Sequence, residues 1–383
     1  MRIALLMSVA SPQSRDIALQ IGMLGHELFI VDAIDASSMS YLSRDDPYQQ
    51  ENIRALEGIA KEVHRVAYGG AWGTGAFGLA RRLSRILGES SADVLLTIHG
   101  GTYAAAACLS GFRPYAVYVG GSDVLFARYF KRYLSRVSLR AAAVVFANGR
   151  YLAQETQDLA PRARVVPLYI GTDTSKFRPR DKPKSPISIV CTRGFMSIYN
   201  NELLIRALTH LSDHLSEYET IFVAAGPELE KARCLAEQIL KPSQRNKVKF
   251  LGGADRDTLA ELLSRAHIYV SVSLSDGTSL SLMEALASGA FPILSNIPAN
   301  QEWIDPRLNN GLLVSPNNAH ELARALTVAI NDAALRSAAG ERNRQLILEK
   351  ADLRANMAVM LRELVRSTDL GGSFVDVSTE YHP

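Results

Sequence analysis

The sequence is poor in cysteine, and the cysteines it has do not suggest a bridge or a metal. Among its 383 residues are three cysteines, Cys108, Cys191 and Cys234, far apart in apolar segments and without CxxC spacing. This usage is typical of a reducing compartment and argues against a structural zinc site. We therefore expect a cytoplasmic protein.

Long apolar runs are also missing from the sequence. No segment reaches the roughly 18 uninterrupted apolar residues of a membrane-spanning helix. The opening MRIALLMSVA lacks a long basic region and a cleavage signature, so it predicts a first β-strand rather than a leader. The prediction is a protein that does not cross the membrane, with surface attachment left open.

Positive and negative residues nearly balance in the sequence. The formal net charge is +3, which is too small to imply a nucleic-acid partner. Apolar residues make up 47% and charged residues 21%, a balance typical of globular proteins. A chain of this length exceeds what one hydrophobic core usually organises, so two domains are expected.

Short apolar runs alternate with helical patterns, which is typical of parallel sheets covered by helices. In the first half, strands are predicted at 3–7, 27–32, 63–68, 94–99, 115–119, 143–147 and 164–167, with helices over 77–87 and 125–140. A second series occupies 187–191, 220–224, 248–251, 268–271, 291–294 and 311–314. Between them, KFRPRDKPKSPI (176–187) carries three prolines and predicts a linker.

One motif favours another class of enzyme when taken alone. GTGAFG, residues 73–78, matches GxGxxG, and Asp93 follows Gly73 at the distance seen in dinucleotide-binding oxidoreductases. However, Asp93 opens a predicted strand, whereas the ribose-binding acid of that fingerprint closes one. We therefore reject the oxidoreductase interpretation and assign these glycines to a loop.

The segment LSDGTSLSLMEALASG, residues 274–289, places Asp276 before a predicted helix and Glu284 inside it. The residues between them are small or polar and include Gly277, Thr278, Ser279 and Ser281. Because the first amides of a helix are unpaired and partly positive, a phosphate or diphosphate fits there. The carboxylates would then accept hydrogen bonds from ribose and sugar hydroxyls. In the competing interpretation, Asp276 caps the helix and Glu284 is solvated.

The run DGTSLSLMEALASG resembles the E-x7-E signature of retaining glycosyltransferases of the GT-B fold, family four, with Asp276 replacing the first Glu. Further segments resemble the same family in order: PLYIGTDTSKFRP, FLGGADRDTLAELLSRAHIYVSVS, NQEWI and NNGLLVSPNN. The resemblance implies two doubly wound, Rossmann-like α/β domains facing a cleft. Residues 1–178 would bind the acceptor, with a helix at about 351–367 packing back on them, and 187–350 would bind the donor.

The resemblance also implies roles for individual residues. Glu284 would hold the nucleotide ribose, and Asp276 the transferred sugar, together with the residues that follow it: Gly277, Thr278, Ser279 and Leu280. Arg193 matches the arginine that neutralises the departing diphosphate. Gly226 completes the substrate-binding residues of this half.

The sequence departs from the family at three places. The lysine expected some five residues after Arg193 is missing, where the chain reads SIYNNE. No Gly-Gly loop follows the first strand. In VGGSDV (119–124), Gly120 stands where the family often has a histidine, and His99 is the nearest alternative for an active-site role, with a structural role as the rival interpretation. Asp123 is expected to cap the next helix or to touch the acceptor.

The function implied is retaining transfer of a sugar from a nucleoside diphosphate sugar, UDP rather than GDP, to a sugar-containing acceptor in glycan biosynthesis. No cofactor or metal is expected, since helix amides and an arginine can replace Mg²⁺. The departures leave two alternatives: a catalytically weakened nucleotide-sugar-binding protein and a nucleotide-sugar epimerase.

A basic stripe lies in LFARYFKRYLSRVSLR, residues 125–140, where arginines recur every fourth position without an acid: Arg128, Arg132, Arg136 and Arg140, with Lys131 beside them. Such a stripe repels itself on a helix. It is either a solvated face or a contact for a lipid-linked acceptor or an anionic membrane, at the inner face of which the protein would lie peripherally. The apolar residues of the segment are expected to face the sheet: Phe126, Phe130, Tyr133, Leu134 and Val137.

Overall fold

The computed structural model describes residues 1–35, 53–69, 74–125 and 130–368. The chain divides into two compact units. The first contains Met1–Ala147, Ala153–Leu168 and the chain from Met357 onward, and the second contains Asn148–Leu152 and Tyr169–Asn356. The proline-rich segment at 176–187 therefore lies inside the second unit, whereas the sequence prediction placed the end of the first domain at residue 178.

The first unit is built on a seven-stranded parallel sheet with the order β3-β2-β1-β4-β5-β6-β7. Its strands are β1 (Arg2–Met7), β2 (Glu27–Asp35), β3 (Ala60–Tyr68), β4 (Val94–Ile98), β5 (Tyr115–Val119), β6 (Val144–Ala147) and β7 (Val165–Pro167). Its helices include α1 (Pro12–Met23), α2 (Thr74–Glu89), α3 (Gly101–Ser110), α4 (Ser122–Leu125) and α5 (Phe130–Ala141). Helix α6 (Arg150–Leu159) begins in the second unit and ends in the first.

The second unit has a six-stranded parallel sheet with the order β10-β9-β8-β11-β12-β13. Its strands are β8 (Ile187–Cys191), β9 (Tyr218–Phe222), β10 (Val248–Phe250), β11 (Ile268–Ser271), β12 (Phe291–Ser295) and β13 (Leu312–Val314). The helices are α7 (Asn201–Leu208), α8 (Leu229–Ile239), α9 (Pro242–Arg245), α10 (Arg256–Arg265), α11 (Leu280–Ala287), α12 (Pro298–Gln301), α13 (Ala319–Asn331) and α14 (Ala333–Lys350). Helix α15 (Leu353–Ser367) follows and crosses into the first unit.

Both sheets have the doubly wound order, in which the first strand lies inside the sheet and the chain reverses direction on either side of it. Strands β4, β5, β8 and β12 are buried at every position. They read as continuous apolar runs because helices cover both faces of each sheet. Each predicted strand corresponds to an observed one, and the predicted fold class is confirmed.

One prediction about local structure is wrong. Gly75 and Gly78, assigned to a loop from the sequence, lie inside helix α2. Of the helix predicted over 125–140, Leu125 lies in α4 and residues 130–140 lie in α5. Arg128 and the rest of the 126–129 segment fall outside the described residues, as does Gly73.

The apolar residues of α5 do not all face the sheet. Tyr133 is 63% exposed and Val137 is 42% exposed, whereas Ser135, Ser138 and Leu139 are buried. Helix α5 packs on α3, whose sequence is GTYAAAACLS, so small side chains on both helices allow a close approach. The periodicity of the sequence separated two faces correctly, but it assigned the wrong face to the interior.

Candidate functional site

The switch point of the second sheet lies between β8 and β11, where the strand order reverses. Open parallel sheets bind ligands beyond the carboxyl ends of their strands at such a point. The loop after β8 carries Arg193, and the loop after β11 leads through Asp276 to helix α11. The fold thus joins two predicted site residues that lie 83 positions apart.

Arg193 is buried and held from several directions. Its Nη2 donates to Oδ2 of Asp276 at 2.6 Å, and its Nη1 donates to the hydroxyls of Ser279 and Ser281. Its guanidinium carbon lies 4.0 Å from the centre of the Tyr199 ring, close enough for a cation–π interaction. The guanidinium is therefore oriented by the protein itself.

Two polar atoms at this site are buried and have no hydrogen-bond partner within the described ranges: Nε of Arg193 and Oγ1 of Thr278. Buried polar atoms are nearly always paired, so these two atoms beside a helix start have hydrogen-bonding capacity left for a ligand that reaches them. Ser279 is the N-cap of α11, and its hydroxyl accepts from the amide of Leu282. The positive end of the helix makes this place favourable for an anion.

The charges of the site are closely balanced. Burial raises the pKa of Asp276, and the charge of Arg193 opposes that rise. Burial would lower the pKa of Arg193, but the charge of Asp276 and other neighbours outweighs it, so this pKa is raised. Both side chains are ionised at neutral pH, and a diphosphate entering the site would compete with Asp276 for the guanidinium.

Glu284 lies in the middle of α11 and is 1% exposed. Nη1 of Arg256, the first residue of α10, donates to its Oε1. The guanidinium carbon of Arg256 lies 4.9 Å from the centre of the Phe177 ring. The interpretation of Glu284 as a solvated helix residue is therefore wrong, and so is that of Asp276 as the helix cap, since Ser279 takes that position.

The other predicted residues of this half lie around the same helix start or one loop away. Gly277 and Thr278 are buried just before the N-cap, and Leu280 is the first residue of α11. Gly226 follows β9 with φ of +153°, and a Cβ there would lie 2.5 Å from the carbonyl oxygen of Phe195. Only glycine lets the loops after β8 and β9 approach so closely.

The first unit has its own switch point between β1 and β4. His99 follows β4 with φ of +134°, and its half-exposed ring places Nδ1 3.2 Å from Oδ2 of Asp123. The charge of Asp123 raises the pKa of His99 above its usual value. The structure thus pairs two residues that the sequence analysis had considered separately.

Asp123 lies within the next helix, the short α4, rather than at its cap. It accepts hydrogen bonds from the amides of Gly100, Gly120 and Gly121. Burial would raise the pKa of Asp123, but the charge of His99 and these hydrogen bonds lower it to about 2. Its side chain is 2% exposed, so it orients His99 and the glycine loops rather than meeting a ligand directly.

Sequence reasoning missed two residues of the second unit. The contact made by Arg256 could not be predicted, because an arginine at the start of a helix is usually an exposed surface residue. Asn148 is also buried, and its amide donates to the carbonyl of Thr278 at 2.8 Å while its oxygen accepts from Ile170. It fixes the backbone immediately before the N-cap of α11. Nothing in its sequence context marks it.

The basic stripe is exposed where the structure describes it. Arg132, Arg136 and Arg140 are exposed on α5, next to the exposed Tyr133 and Val137. The side chain of Lys131 is outside the described part of the chain. Cationic and apolar side chains therefore share one surface of this helix.

Two doubly wound units of this kind are the architecture of the GT-B fold. Solved structures with a similar fold cover nearly the whole chain. They include a glycosyltransferase of Rickettsia africae (TM-score 0.74, 16% identity, 97% of this chain and 99% of that one) and Alr3699/HepE of Anabaena in complex with UDP (TM-score 0.74, 16% identity, 96% and 100%).

Residues 172–346, a little under half of the chain, match the family model described as Glycosyl transferases group 1. A curated relative is the GtfA subunit of a UDP-N-acetylglucosamine–peptide N-acetylglucosaminyltransferase from Streptococcus gordonii, 27% identical over 180 residues. That match covers 46% of this chain and 34% of the relative. The chain thus spans about a third of the length of the curated relatives it matches.

Two further observations concern metals and membranes. In the described ranges, no group of three or more His, Cys, Asp or Glu side chains is placed to hold a metal ion. Among the helices that the structure describes, none is long and apolar enough to cross a membrane.

Proposed function

We propose that this chain is a retaining glycosyltransferase that transfers the sugar of a UDP-sugar to a sugar-containing acceptor. The observation that carries the proposal is the arrangement of Arg193 at the start of α11, with its Nε and the hydroxyl of Thr278 buried and unpaired. Uridine is favoured over guanosine because the Anabaena neighbour was solved with UDP and with UDP-glucose. The curated relatives also carry UDP-N-acetylglucosamine in their names.

In the proposed reaction, the bond between the sugar C1 and the diphosphate oxygen breaks, and a bond from C1 to an acceptor hydroxyl oxygen forms on the same face. The acceptor proton passes to the departing phosphate oxygen. Arg193 and the amides of α11 stabilise the charge that grows on the diphosphate. No protein nucleophile and no metal is needed in this scheme.

The two acids have separate roles in this proposal. Asp276 holds the guanidinium of Arg193 at 2.6 Å and reaches toward the sugar hydroxyls. Glu284 meets the ribose, and Arg256 acts as a positioning residue that holds this buried carboxylate in place. His99, held by Asp123, faces the acceptor side of the reaction.

The test is nucleotide release from a panel of UDP-, GDP- and ADP-sugars, with UDP binding measured in parallel. We expect the unmodified protein to hydrolyse a UDP-sugar slowly. In the Arg193→Ala variant, the turnover rate should fall by a larger factor than the affinity for UDP. Glu284→Ala should lose UDP affinity. Asp332→Asn, which changes only the exposed N-cap of α14, is the control and should match the unmodified protein.

Two other results would replace the proposal. Binding of UDP without turnover on any sugar, with or without oligosaccharide acceptors, would identify a nucleotide-sugar-binding protein. Isomerised sugar in the product would identify an epimerase. Unchanged kinetics in both Arg193→Ala and Glu284→Ala would remove the site assignment itself.

For the acceptor, we propose a lipid-linked sugar reached from an anionic membrane surface, in a pathway of glycan biosynthesis. Helix α5 supports this because Arg132 and Arg136 lie beside Tyr133 and Val137 on an exposed surface. Arginines attract anionic headgroups, while a tyrosine and a valine enter the interfacial region of the bilayer. The protein would then be peripheral at the cytoplasmic face.

A further inference from the structure

A cavity opens in the second unit, away from the predicted donor residues. It has a volume of about 450 Å³ and is lined by Pro179 and Lys182 of the proline-rich segment, by His267 and Gly289, and by one side of α14. Gly289 follows the C-terminal end of α11. Since α11 has eight residues, the cavity lies about 12 Å along the helix from Ser279. It is therefore distinct from the place of the donor diphosphate.

Cations dominate the lining of this cavity. Lys182, Arg336 and Arg344 contribute three positive charges, and Glu341 contributes one negative charge. In the part of the chain that the structure describes, no carboxylate lies within 4.0 Å of the nitrogens of these three cations. The three side chains are half-buried, and the charges of Asp332 and Asp352 act on Arg336 and Arg344 from outside the cavity, so the lining itself has an excess of positive charge.

The three cations are fixed by backbone carbonyls. Nζ of Lys182 donates to the carbonyl of Gly289 at 2.7 Å. Arg336 donates through Nη1 to the carbonyls that end α13, and Arg344 donates to those of Phe177 and Ala287. These bonds use one of the three donors of the ammonium and part of each guanidinium. The cations are thus held in place with hydrogen-bonding capacity remaining.

His267 forms part of the wall without adding a charge. Its Nδ1 accepts from the amide of Ser188 at 3.1 Å, and its Nε2 donates to the carbonyl of Pro183 at 2.9 Å. Burial, followed by the charge of Lys182, lowers the pKa of His267. The ring is therefore neutral at pH 7 and both of its nitrogens are occupied.

We propose that this cavity is a binding site for the phosphate group of a small molecule, with Lys182, Arg336 and Arg344 as its cationic ligands. A dianionic phosphate would neutralise the surplus charge, and charge-assisted hydrogen bonds from ammonium and guanidinium groups are the strongest that proteins offer it. The volume exceeds that of phosphate itself, so a phosphate monoester fits. The site does not depend on the transfer reaction proposed above.

Protonation provides an independent readout of this site. Burial, and then the charge of Arg336, lowers the pKa of Lys182 to about 8. A bound phosphate favours the charged ammonium and so raises that pKa. At pH 8 a phosphate monoester is already dianionic, since its second pKa is about 6. Binding at pH 8 should therefore be accompanied by uptake of a fraction of a proton by the protein.

The experiment is calorimetric titration at pH 8 with inorganic phosphate and, separately, with glycerol 1-phosphate, in two buffers of different ionisation enthalpy. UDP is present at saturation to occupy the donor site. We expect one equivalent of ligand to bind with proton uptake. Arg336→Gln should weaken binding at least tenfold, and Lys182→Met should also abolish the proton uptake. Tighter binding of glycerol 1-phosphate than of phosphate would identify a monoester as the ligand.

Two control variants make the result decisive. Lys184→Met removes an exposed lysine from the same segment and should bind as the unmodified protein does. Lys182→Arg keeps the charge and should restore binding, which separates loss of the ligand from loss of the fold. No heat with either probe at 10 mM, or binding in Lys182→Met and Arg336→Gln that is as tight as in the unmodified protein, would overturn the proposal. Loss of binding in Arg193→Ala alone would assign the phosphate to the donor site instead.

Discussion

Arg193 stacks on Tyr199, with the guanidinium carbon 4.0 Å from the centre of the ring. Tyr199 belongs to SIYNNE, the segment in which the family resemblance leads one to expect a second cation. This chain thus has an aromatic ring beside its arginine where a lysine was expected. The ring fixes the orientation of the one available guanidinium, and its negative face favours the positive charge.

We expect Tyr199→Leu to lower nucleotide release about tenfold, because losing a partly buried cation–π contact costs about 1 kcal/mol and frees the guanidinium to leave its position. Tyr199→Phe keeps the aromatic face and should remain within about twofold of the unmodified protein. Steady-state rates on the UDP-sugar identified by the panel provide the measurement. Equal activity of the two variants would show that the ring has no such role.

The pair formed by Glu284 and Arg256 should behave as one unit. Their side chains are 2% and 10% exposed, so removing either partner takes a charged contact away from a buried group. We expect Glu284→Gln and Arg256→Met each to lower the free energy of unfolding by about 3 kcal/mol, and the double variant to lower it by less than the sum. The coupling energy is obtained from this double-mutant cycle.

Urea unfolding can be followed in the second unit alone. The sequence has two tryptophans, and Trp303 lies in the second unit at 2% exposure, so a Trp72→Phe background makes it the fluorescent reporter. Glu219 and Lys249 form an exposed ion pair at 2.6 Å and supply the control cycle. Their coupling should not exceed about 1 kcal/mol. Similar couplings in the two cycles would argue against a special role for the buried pair.

Stability should depend on pH through His99. Because Asp123 raises the pKa of His99 in the folded chain, the stabilisation from this pair is fully present below the unfolded value of 6.5 and is lost as pH rises through the folded value. His99→Gln should therefore lower Tm most below pH 6.5, with the difference shrinking at higher pH. The exposed His214, changed to Gln, is the control. A Tm difference that is the same at pH 6 and pH 9 would contradict the assigned charge.

The sequence predicted features that depend on neighbouring residues better than contacts between residues that are far apart in the chain. Strands such as 115–119 and 268–271 were predicted correctly because a strand buried on both faces is a continuous apolar run. The helix start near Ser279 was equally visible, since caps and small residues act locally. The contact between Arg256 and Glu284 spans 28 positions and depends on how α10 packs against α11, which no local pattern records.

Helix α5 shows why periodicity alone was insufficient. Its arginines and its apolar residues fall on separate stripes, so the sequence correctly separated them. The interior side, however, is formed by Ser135, Ser138 and Leu139, where two small side chains let α5 approach the alanine-rich α3. Tyr133 and Val137 lie on the exposed side of the helix. Because exposed apolar side chains lie beside its cations, the basic stripe fits a membrane contact better than a merely solvated face.

The exposed surface of α5 should bind anionic membranes. Each arginine near such a surface contributes about 1 kcal/mol, so Arg132→Ser with Arg136→Ser should weaken binding to vesicles containing phosphatidylserine by at least tenfold. Binding of the unmodified protein should fall as salt is raised, because surface charges are screened. Val137→Ser should weaken binding by a smaller factor that does not depend on salt. Sedimentation with vesicles measures all three effects.

A matched control separates this surface from charge in general. Helix α15 carries Arg354 and Arg362, which are also exposed, and this helix has no exposed large apolar residue. Changing both to Ser removes the same net charge and should leave vesicle binding within about twofold. Equal losses from the two double variants would mean that the protein responds to lipid only through its total charge, and the acceptor proposal would then lose its support from α5.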